Sequence, residues 1–439
     1  MTNYQRVTFI IPCRNNVKYL KQAINSIEDC YGDTHNIIIL DDASTDGTWE
    51  WIQLMEDKHP YIKSYRNEGP ERVGHTVLYD IGINMAQTPV VTILHSDMIV
   101  TQNYVGNMLK NLTPLSVVSA TRIEPPLHPP GPEKYVKNFG MEPEEFQLQF
   151  DEFEKFVEVK QAENKNIVTN GIFAPWMLYK EDFRSMGGHD KLFAPMELED
   201  SDIFNRFHLC DYELIQSRDA FVYHMTCRGS RFKDGIKIER IIDLPDGTKW
   251  YKPKDSEEYT KLRENKFKEW WRKWHTDVLH DDLMMPIVPN RYDTTFVVHN
   301  CYPQLLQALE PWCDRLYVDC NYQWYVDEEK KETMFDISDK IHSIGDEMKG
   351  DVQIMFDGSK LTNENFNTFH MAQKLKELST STFIAISPNI NWHNPSHRSQ
   401  FKHPFSRIFK QIHLSATSSD VGLLPEYRSH STLTGGLRY

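Results

Sequence analysis

The sequence predicts an α/β protein: a mostly parallel sheet covered by helices on both faces, then a second, smaller α/β domain. Three observations predict this. Short apolar runs alternate with segments of helical spacing through the first hundred residues. The runs are almost continuously apolar, as strands buried on both faces must be. The same rhythm resumes from about residue 290.

Taken in order, "VTFIIP" (7–12), "NIIIL" (36–40), "IKSYRN" (62–67) and "VVTILH" (90–95) are β-rich and bounded by turn residues. Between them, "VKYLKQAINSIEDC", "GTWEWIQLMEDK" and "GHTVLYDIGINMA" carry apolar residues at helical spacing. Residues 124–165 break the alternation. "EPPLHPPGPEKYVKNFG" is too rich in proline for a core element, and "PEEFQLQFDEFEKFVEVKQAENK" reads as an amphipathic helix with phenylalanines on one side. We read this stretch as an insertion within an N-terminal domain of residues 1–230, whose strands resume at "IVTNGIFAPWMLY" and "YELIQSRDAFVYH". Residues 231–289 read as a linker region, with a hairpin around "LPDGTKW" and a charged helix, "SEEYTKLRENKFKEWWRKWHTDV". In that helix Trp270, Trp271 and Trp274 read first as packing groups and second as sugar-stacking ones. Residues 290–439 form the accessory α/β domain, from "TTFVVHN" and "RLYVDCN" to "VQIMFD" and "STFIAISPN", with a Ser-, Thr- and Gly-rich tail expected to be partly disordered.

Composition narrows the class. The 439 residues carry 49 basic and 63 acidic side chains, a formal charge of −14. An acidic surface repels polyphosphate, which disfavours non-specific nucleic-acid binding. No apolar run reaches the ~18 residues that span a bilayer, and the opening "MTNYQRVTFIIPC" lacks the basic and long apolar regions of a secretory signal. Seven cysteines without a CxxC pair read as reduced thiols. The expected compartment is the cytoplasm.

In a parallel sheet, ligands bind at the carboxyl ends of the strands. Three loops there are polar: Pro12-Cys13-Arg14-Asn15-Asn16, Asp41-Asp42, and His95-Ser96-Asp97. An acid such as Asp41 or Asp42 accepts hydrogen bonds from a base or ribose, and Asp97 offers a hard oxygen to Mg²⁺ or Mn²⁺. One acid at a strand end is most simply a helix cap; three polar sets in register argue for a site. In "GGHDKLFAPMELEDSDIFNRF", residues 187–207, Glu197, Glu199, Asp200 and Asp202 crowd together. Mutual repulsion can raise one pKa, as a base requires, but taken alone the cluster reads first as a solvated helix start, where acids favour the dipole. His224 ends the run "AFVYH" as a borderline ligand suited to Mn²⁺ or Zn²⁺, with Arg228 and Arg231 behind it as phosphate-binding groups.

These residues together resemble a family 2 glycosyltransferase of the GT-A fold. The motifs that carry the resemblance are "VTFIIPCRNN", "IIILDDASTDGT", "NEGPERVGHTVLYDIGINMAQTPVVTILHSDM" and "GGHDKLFAPMELEDSDIFNRF", spanning roughly residues 5–230. The resemblance implies a Rossmann-like sheet and inverting transfer of a sugar from a nucleotide diphosphate, a UDP-sugar first, to an acceptor hydroxyl, with Mn²⁺ or Mg²⁺. It implies nucleotide contacts from Pro12, Arg14 and Asp41 or Asp42, with Arg72 a further candidate for the same pocket; His95, Ser96 and Asp97 of the third loop are also read as nucleotide contacts, His95 to ribose or phosphate. Asp97 and His224 match the metal ligands, and Asp200 of the Glu199-Asp200 pair matches the catalytic base. One motif departs from the family: where "DxDD" is common, this chain has His95-Ser96-Asp97-Met98. Because His95 replaces an acid, a non-catalytic nucleotide-sugar-binding module is a second reading. A sugar nucleotidyltransferase is a third, although "PCRNN" is not the Gly-rich basic loop that such chemistry uses. The acceptor is a saccharide or another hydroxyl-bearing group, modified DNA included.

Overall fold

A computed structural model describes residues 5–226, 230–232, 236–244, 247–289, 293–350 and 352–361. They divide into two compact units, one running up to Glu264 and including residues 279–288, the other comprising residues 265–278 and those from 289 onward.

The first unit begins as the periodicity requires: β1 (Val7–Cys13), α1 (Val17–Tyr31), β2 (Asn36–Asp42), α2 (Thr48–Lys58), β3 (Ile62–Asn67), α3 (Gly74–Met85) and β4 (Val90–Ile93). There follow β5 (Met98–Val100), α4 (Tyr104–Leu109), β6 (Ser116–Glu124), β7 (Lys134–Val136), α5 (Pro143–Leu148), α6 (Phe150–Glu163), β8 (Val168–Asn170), β9 (Trp176–Tyr179), α7 (Lys180–Ser185), α8 (Glu199–Leu209) and β10 (Glu213–His224). The strand order is β3-β2-β1-β4-β9-β6-β10-β5, with β7 beside β6 and β8 beside β10. The block β3-β2-β1-β4 is parallel, β9 enters antiparallel between β4 and β6, and β6 pairs parallel with β10. The expected α/β class with a large, mostly parallel sheet is thus observed.

Burial on both faces explains the near-continuous apolar strands. Phe9, Ile11, Ile37 and Ile39 pack with Leu20, Ile24 and Ile27 of α1 on one side. Ile10, Ile38 and Leu40 pack with Leu78, Tyr79 and Ile83 of α3 on the other. Each such side chain contributes about 1.5–3 kcal/mol when fully buried. In "SVVSATRIE" the polar residues obscure the pattern, yet all nine residues of this strand, β6, are buried.

The proline-dense stretch differs from expectation. Its prolines flank a strand rather than exclude one: β7 pairs with the end of β6, and Leu127, Glu133, Lys134 and Phe139 are buried. The expected phenylalanine-faced helix is two helices, α5 and α6, broken at Gln149. The break lets both Phe146 and Phe153 reach Tyr223, with ring centroids 5.0 and 5.6 Å away.

Beyond the sheet, β11 (Ile238–Asp243) and β12 (Lys249–Pro253) form the antiparallel hairpin, and α9 (Glu257–Trp274) is the charged helix. The second unit holds β13 (Thr294–His299), α10 (Pro303–Leu309), β14 (Arg315–Val318), α11 (Gln323–Glu329), β15 (Ile341–Ser343) and β16 (Val352–Asp357). Its sheet is parallel in the order β15-β14-β13-β16. Within this unit Trp270 is fully buried and donates to the carbonyl of Thr276 at 2.8 Å, while Trp271 stacks on Trp312 at 4.6 Å. Trp270 and Trp271 pack in this unit, as in the first of the two readings. "STFIAISPN" and the Ser/Thr/Gly-rich tail lie outside the described residues. Among those residues no helix is long and apolar enough to cross a membrane.

Candidate active site

The carboxyl ends of β1, β2, β4, β6 and β10 bring the polar loops together, and adjacent acids there do different work. Alternation along β2 sends Asp42 to the α3 face with Ile38 and Leu40, and Asp41 to the α1 face with Ile37 and Ile39. The Asp42 carboxylate accepts from the backbone N–H groups of Val73 and Gly74 at 3.0 and 2.9 Å and from Asn67 at 2.8 Å, and pairs with Arg72 at 3.4 Å. It anchors the start of α3. Arg14 donates to the Asp42 carbonyl at 2.8 Å, which fixes that loop against Pro12, buried in β1 opposite Leu40. Asp41 accepts from the Ser44 N–H at 3.1 Å and lies 3.6 Å from Arg66. Its Oδ1 is buried with no partner among the described residues, and burial raises its pKa. A buried, unsatisfied acceptor at a strand end suits a ligand's hydroxyl or N–H. Of the two acids, Asp41 has the free acceptor.

A second group forms where β5 runs antiparallel to the end of β10. His224 pairs with Met98, and the Met225 N–H donates to the Asp97 carbonyl at 3.0 Å. Backbone register therefore sets Asp97 beside His224, with Oδ1 3.4 Å from Nε2. His95 completes the group, its ring 5.5 Å from that of His224. Ligand atoms of His95, Asp97 and His224 all lie within 4.8 Å of one another. Two imidazoles and one carboxylate are a donor set suited to Mn²⁺ or Zn²⁺, so the residues present fit a divalent cation. Burial lowers His95 to about 3, which keeps it neutral, as a ligand must be. For His224 burial acts downward, but Asp97 and Glu124 outweigh it and raise the pKa. His95, expected among the nucleotide contacts, lies in one group with Asp97 and His224. Ser96 accepts a hydrogen bond from Asn16 and ties this loop to the one after β1.

The acid pair opens α8. Glu197 and Leu198 before it both have positive φ, 83° and 68°, a strained turn of the kind found at functional sites. Glu199 is buried and meets His75 Nε2 at 2.5 Å through Oε1. Burial would raise its pKa, but the His75 cation brings it below the usual value. Asp200 is pushed up to about 6, first by burial and then by the charge of Glu199. Trp176 Nε1–H donates to Asp200 Oδ1 at 3.3 Å. Asp202 is a structural acid, buried and paired with Arg206 at 2.9 Å, and Glu197 accepts from the Tyr259 hydroxyl.

His75 joins the two groups: bonded to Glu199, its ring lies 6.3 Å from that of His95. The Tyr79 ring lies 5.8 Å from that of His75; its buried hydroxyl has no partner among the described residues, and burial with the charges of Asp200, Glu199 and Asp97 pushes its pKa upward. Sequence reasoning missed His75 and Tyr79, which lie inside a quoted motif but within α3, and Trp176 and Glu124, which lie in strands outside any motif. Arg72 sits at the Asp42 carboxylate and donates to Met196 at 3.4 Å. Arg231 pairs with Asp255 at 2.5 Å, and Arg228 lies outside the described residues.

The family model described as "Glycosyl transferase family 2" matches residues 8–182. This stretch, which runs from β1 into α7, is a family 2 glycosyltransferase domain. No curated protein matches the chain. Similar solved structures include a mannosyltransferase from Pyrobaculum calidifontis in complex with GDP-Man and Mn²⁺, at 19% identity and a TM-score of 0.37, covering 52% of this chain and 59% of that one. They also include GalNAc-T7 with UDP, GalNAc and Mn²⁺, at 15% identity and a TM-score of 0.39 (51% and 44% covered). A third is TarS 1-349 of S. aureus, at 13% identity and a TM-score of 0.36 (50% and 60% covered). The chain thus spans about half the length of these proteins.

Proposed function

We propose that this protein is a metal-dependent glycosyltransferase that moves a sugar, with inversion, from a nucleotide diphosphate, a UDP-sugar first, to an acceptor hydroxyl. One observation carries the reading: the Glu199-Asp200 pair, through the Glu199–His75 contact, lies next to the His95–Asp97–His224 group. A proton acceptor and a cation site side by side are what such a transfer requires.

Each residue then has a role. Asp41 Oδ1 accepts from the nucleoside, and Arg14 and Pro12 shape that pocket's floor. His95, Asp97 and His224 hold the cation, which when bound offsets charge on the departing diphosphate. Asp200 takes the proton from the attacking hydroxyl, its carboxylate oriented by Trp176. Glu199 stays ionised through His75 and keeps Asp200 basic enough to accept that proton. All of these residues belong to the first unit. The second unit is proposed to position the acceptor or to mediate assembly.

The test is a melting-temperature screen of nucleotide sugars with Mn²⁺ and Mg²⁺, followed by transfer assays and determination of the product anomer by NMR. Binding to the folded state raises Tm by mass action. If no nucleotide sugar raised Tm with either metal, the reading would fall. Binding without transfer or hydrolysis would instead favour the non-catalytic module, the reading to which His95 in place of an acid points.

A further inference from the structure

The roles above leave Glu124 unused. It ends β6 with its side chain fully buried. A buried carboxylate is costly unless paired, and three groups pair it. Lys134 Nζ lies 2.5 Å from Oε1, Arg122 Nη1 lies 3.6 Å from Oε2, and His224 Nδ1 lies 3.1 Å from Oε2. Glu133 balances the cluster, 3.0 Å from Arg122 and 3.4 Å from Lys134. Arg122 and Lys134 face each other in the β6–β7 register, so backbone pairing fixes the two cations that hold the carboxylate. Charge balance between β6 and β7 alone does not require the third contact. Yet Oε2 faces one nitrogen of the imidazole whose other nitrogen lies 3.4 Å from Asp97.

We propose that Glu124 is a positioning residue of the cation site. It accepts the Nδ1–H of His224, which fixes the tautomer and ring plane and presents the Nε2 lone pair beside Asp97 and His95. The proposal rests on reading those three residues as cation ligands. It assigns β7, and through it the proline-dense stretch, a share in building the site.

The test is binding of Mn²⁺ alone to the full chain, followed by electron paramagnetic resonance of the free ion, with Tm of each metal-free variant as the measure of structural damage. Wild type is expected to bind and Asp97→Ala to lose binding. Glu124→Gln is expected to bind roughly 10- to 100-fold more weakly, the usual effect of losing such a partner. Lys134→Gln perturbs the same carboxylate from the far side but keeps the His224 contact, so its affinity is expected to stay within about threefold of wild type, outside the range for a lost partner. If Glu124→Gln does not fold, the charge-balanced pair Glu124→Gln with Lys134→Gln replaces it, with the same expected loss. Unchanged affinity in the Glu124 variant overturns the proposal, as does an equal loss in the Lys134 variant, since either leaves Glu124 a purely structural acid. Failure of wild type to bind, or binding by Asp97→Ala equal to wild type, overturns the cation-site reading itself.

Discussion

His75 Nε2 lies 2.5 Å from Glu199 Oε1 inside the first unit, and each group keeps the other charged. Burial alone would neutralise both, yet His75 titrates above its ordinary value and Glu199 below its own. Burial raises the Asp200 pKa most, and the ionised Glu199 of this pair is the next largest cause.

Asp200→Asn is therefore expected to abolish transfer, by about 10²–10⁴-fold for loss of a positioned base, while leaving nucleotide binding nearly intact. Stability should not fall. A carboxyl whose folded pKa is above its unfolded value binds its proton more tightly when folded, so ionisation costs stability as pH rises from about 4 to 6. The amide removes that cost, and Tm at pH 7 should stay equal or rise. Retained turnover would remove Asp200 from the base role.

The pH profile follows from the same pKa. Transfer needs ionised Asp200, so kcat/KM should decline as pH drops through about 6. Glu199→Gln removes the neighbouring negative charge and should move this acid limb to lower pH. The opposing effect of losing the His75 cation is a smaller cause and does not reverse the sign. An acid limb that stays in place in the glutamine variant would assign it to another group.

Asp97→Ala should eliminate Mn²⁺-dependent nucleotide affinity, because the two imidazoles left in the group carry no negative charge to hold a dication. Titration calorimetry with UDP, with and without Mn²⁺, checks this. A metal-dependent increment equal to wild type would count against the site.

Gly74→Ala should be strongly destabilising. Gly74 has φ +78°, and a Cβ there would lie 1.9 Å from the Pro195 carbonyl oxygen. Positive-φ strain and the forced shift of the segment before α8 together cost about 2–4 kcal/mol, which a denaturant titration would resolve. Turnover should fall as well, because Pro195 leads directly into the Glu199-Asp200 pair. Wild-type stability in this variant would mean that the approach is looser than described.

Trp270→Ala is expected to lower the stability of the second unit by about 3–5 kcal/mol, the range for emptying a buried aromatic site. Its effect on nucleotide-sugar affinity should be small. A selective loss of sugar binding without loss of stability would restore the stacking role.

Much of the first sheet was legible because period and burial agree. "VTFIIP" and "NIIIL" are apolar on both faces, and both faces are covered. The strand β6 was not, because Ser116, Ser119, Thr121, Arg122 and Glu124 break its apolar run; a central strand can carry polar residues when neighbouring strands and ion pairs satisfy them. β7 was obscured for a different reason: its prolines sit outside the paired residues.

By itself the sequence determined the strand–helix order and the polar loops at the strand ends, and it singled out Asp97, Asp200 and His224 as candidates, since hydrophobic period and residue chemistry are local properties. Only the tertiary structure decided which of Asp41 and Asp42 has a free acceptor, because that depends on which face of β2 each leaves and what covers it. It also decided that His95 stands beside Asp97 and His224, and that His75 meets Glu199 and Glu124 meets His224, partners 124 and 100 residues away. Such partnerships arise from strand register and close packing, which bring together side chains that no sequence spacing connects.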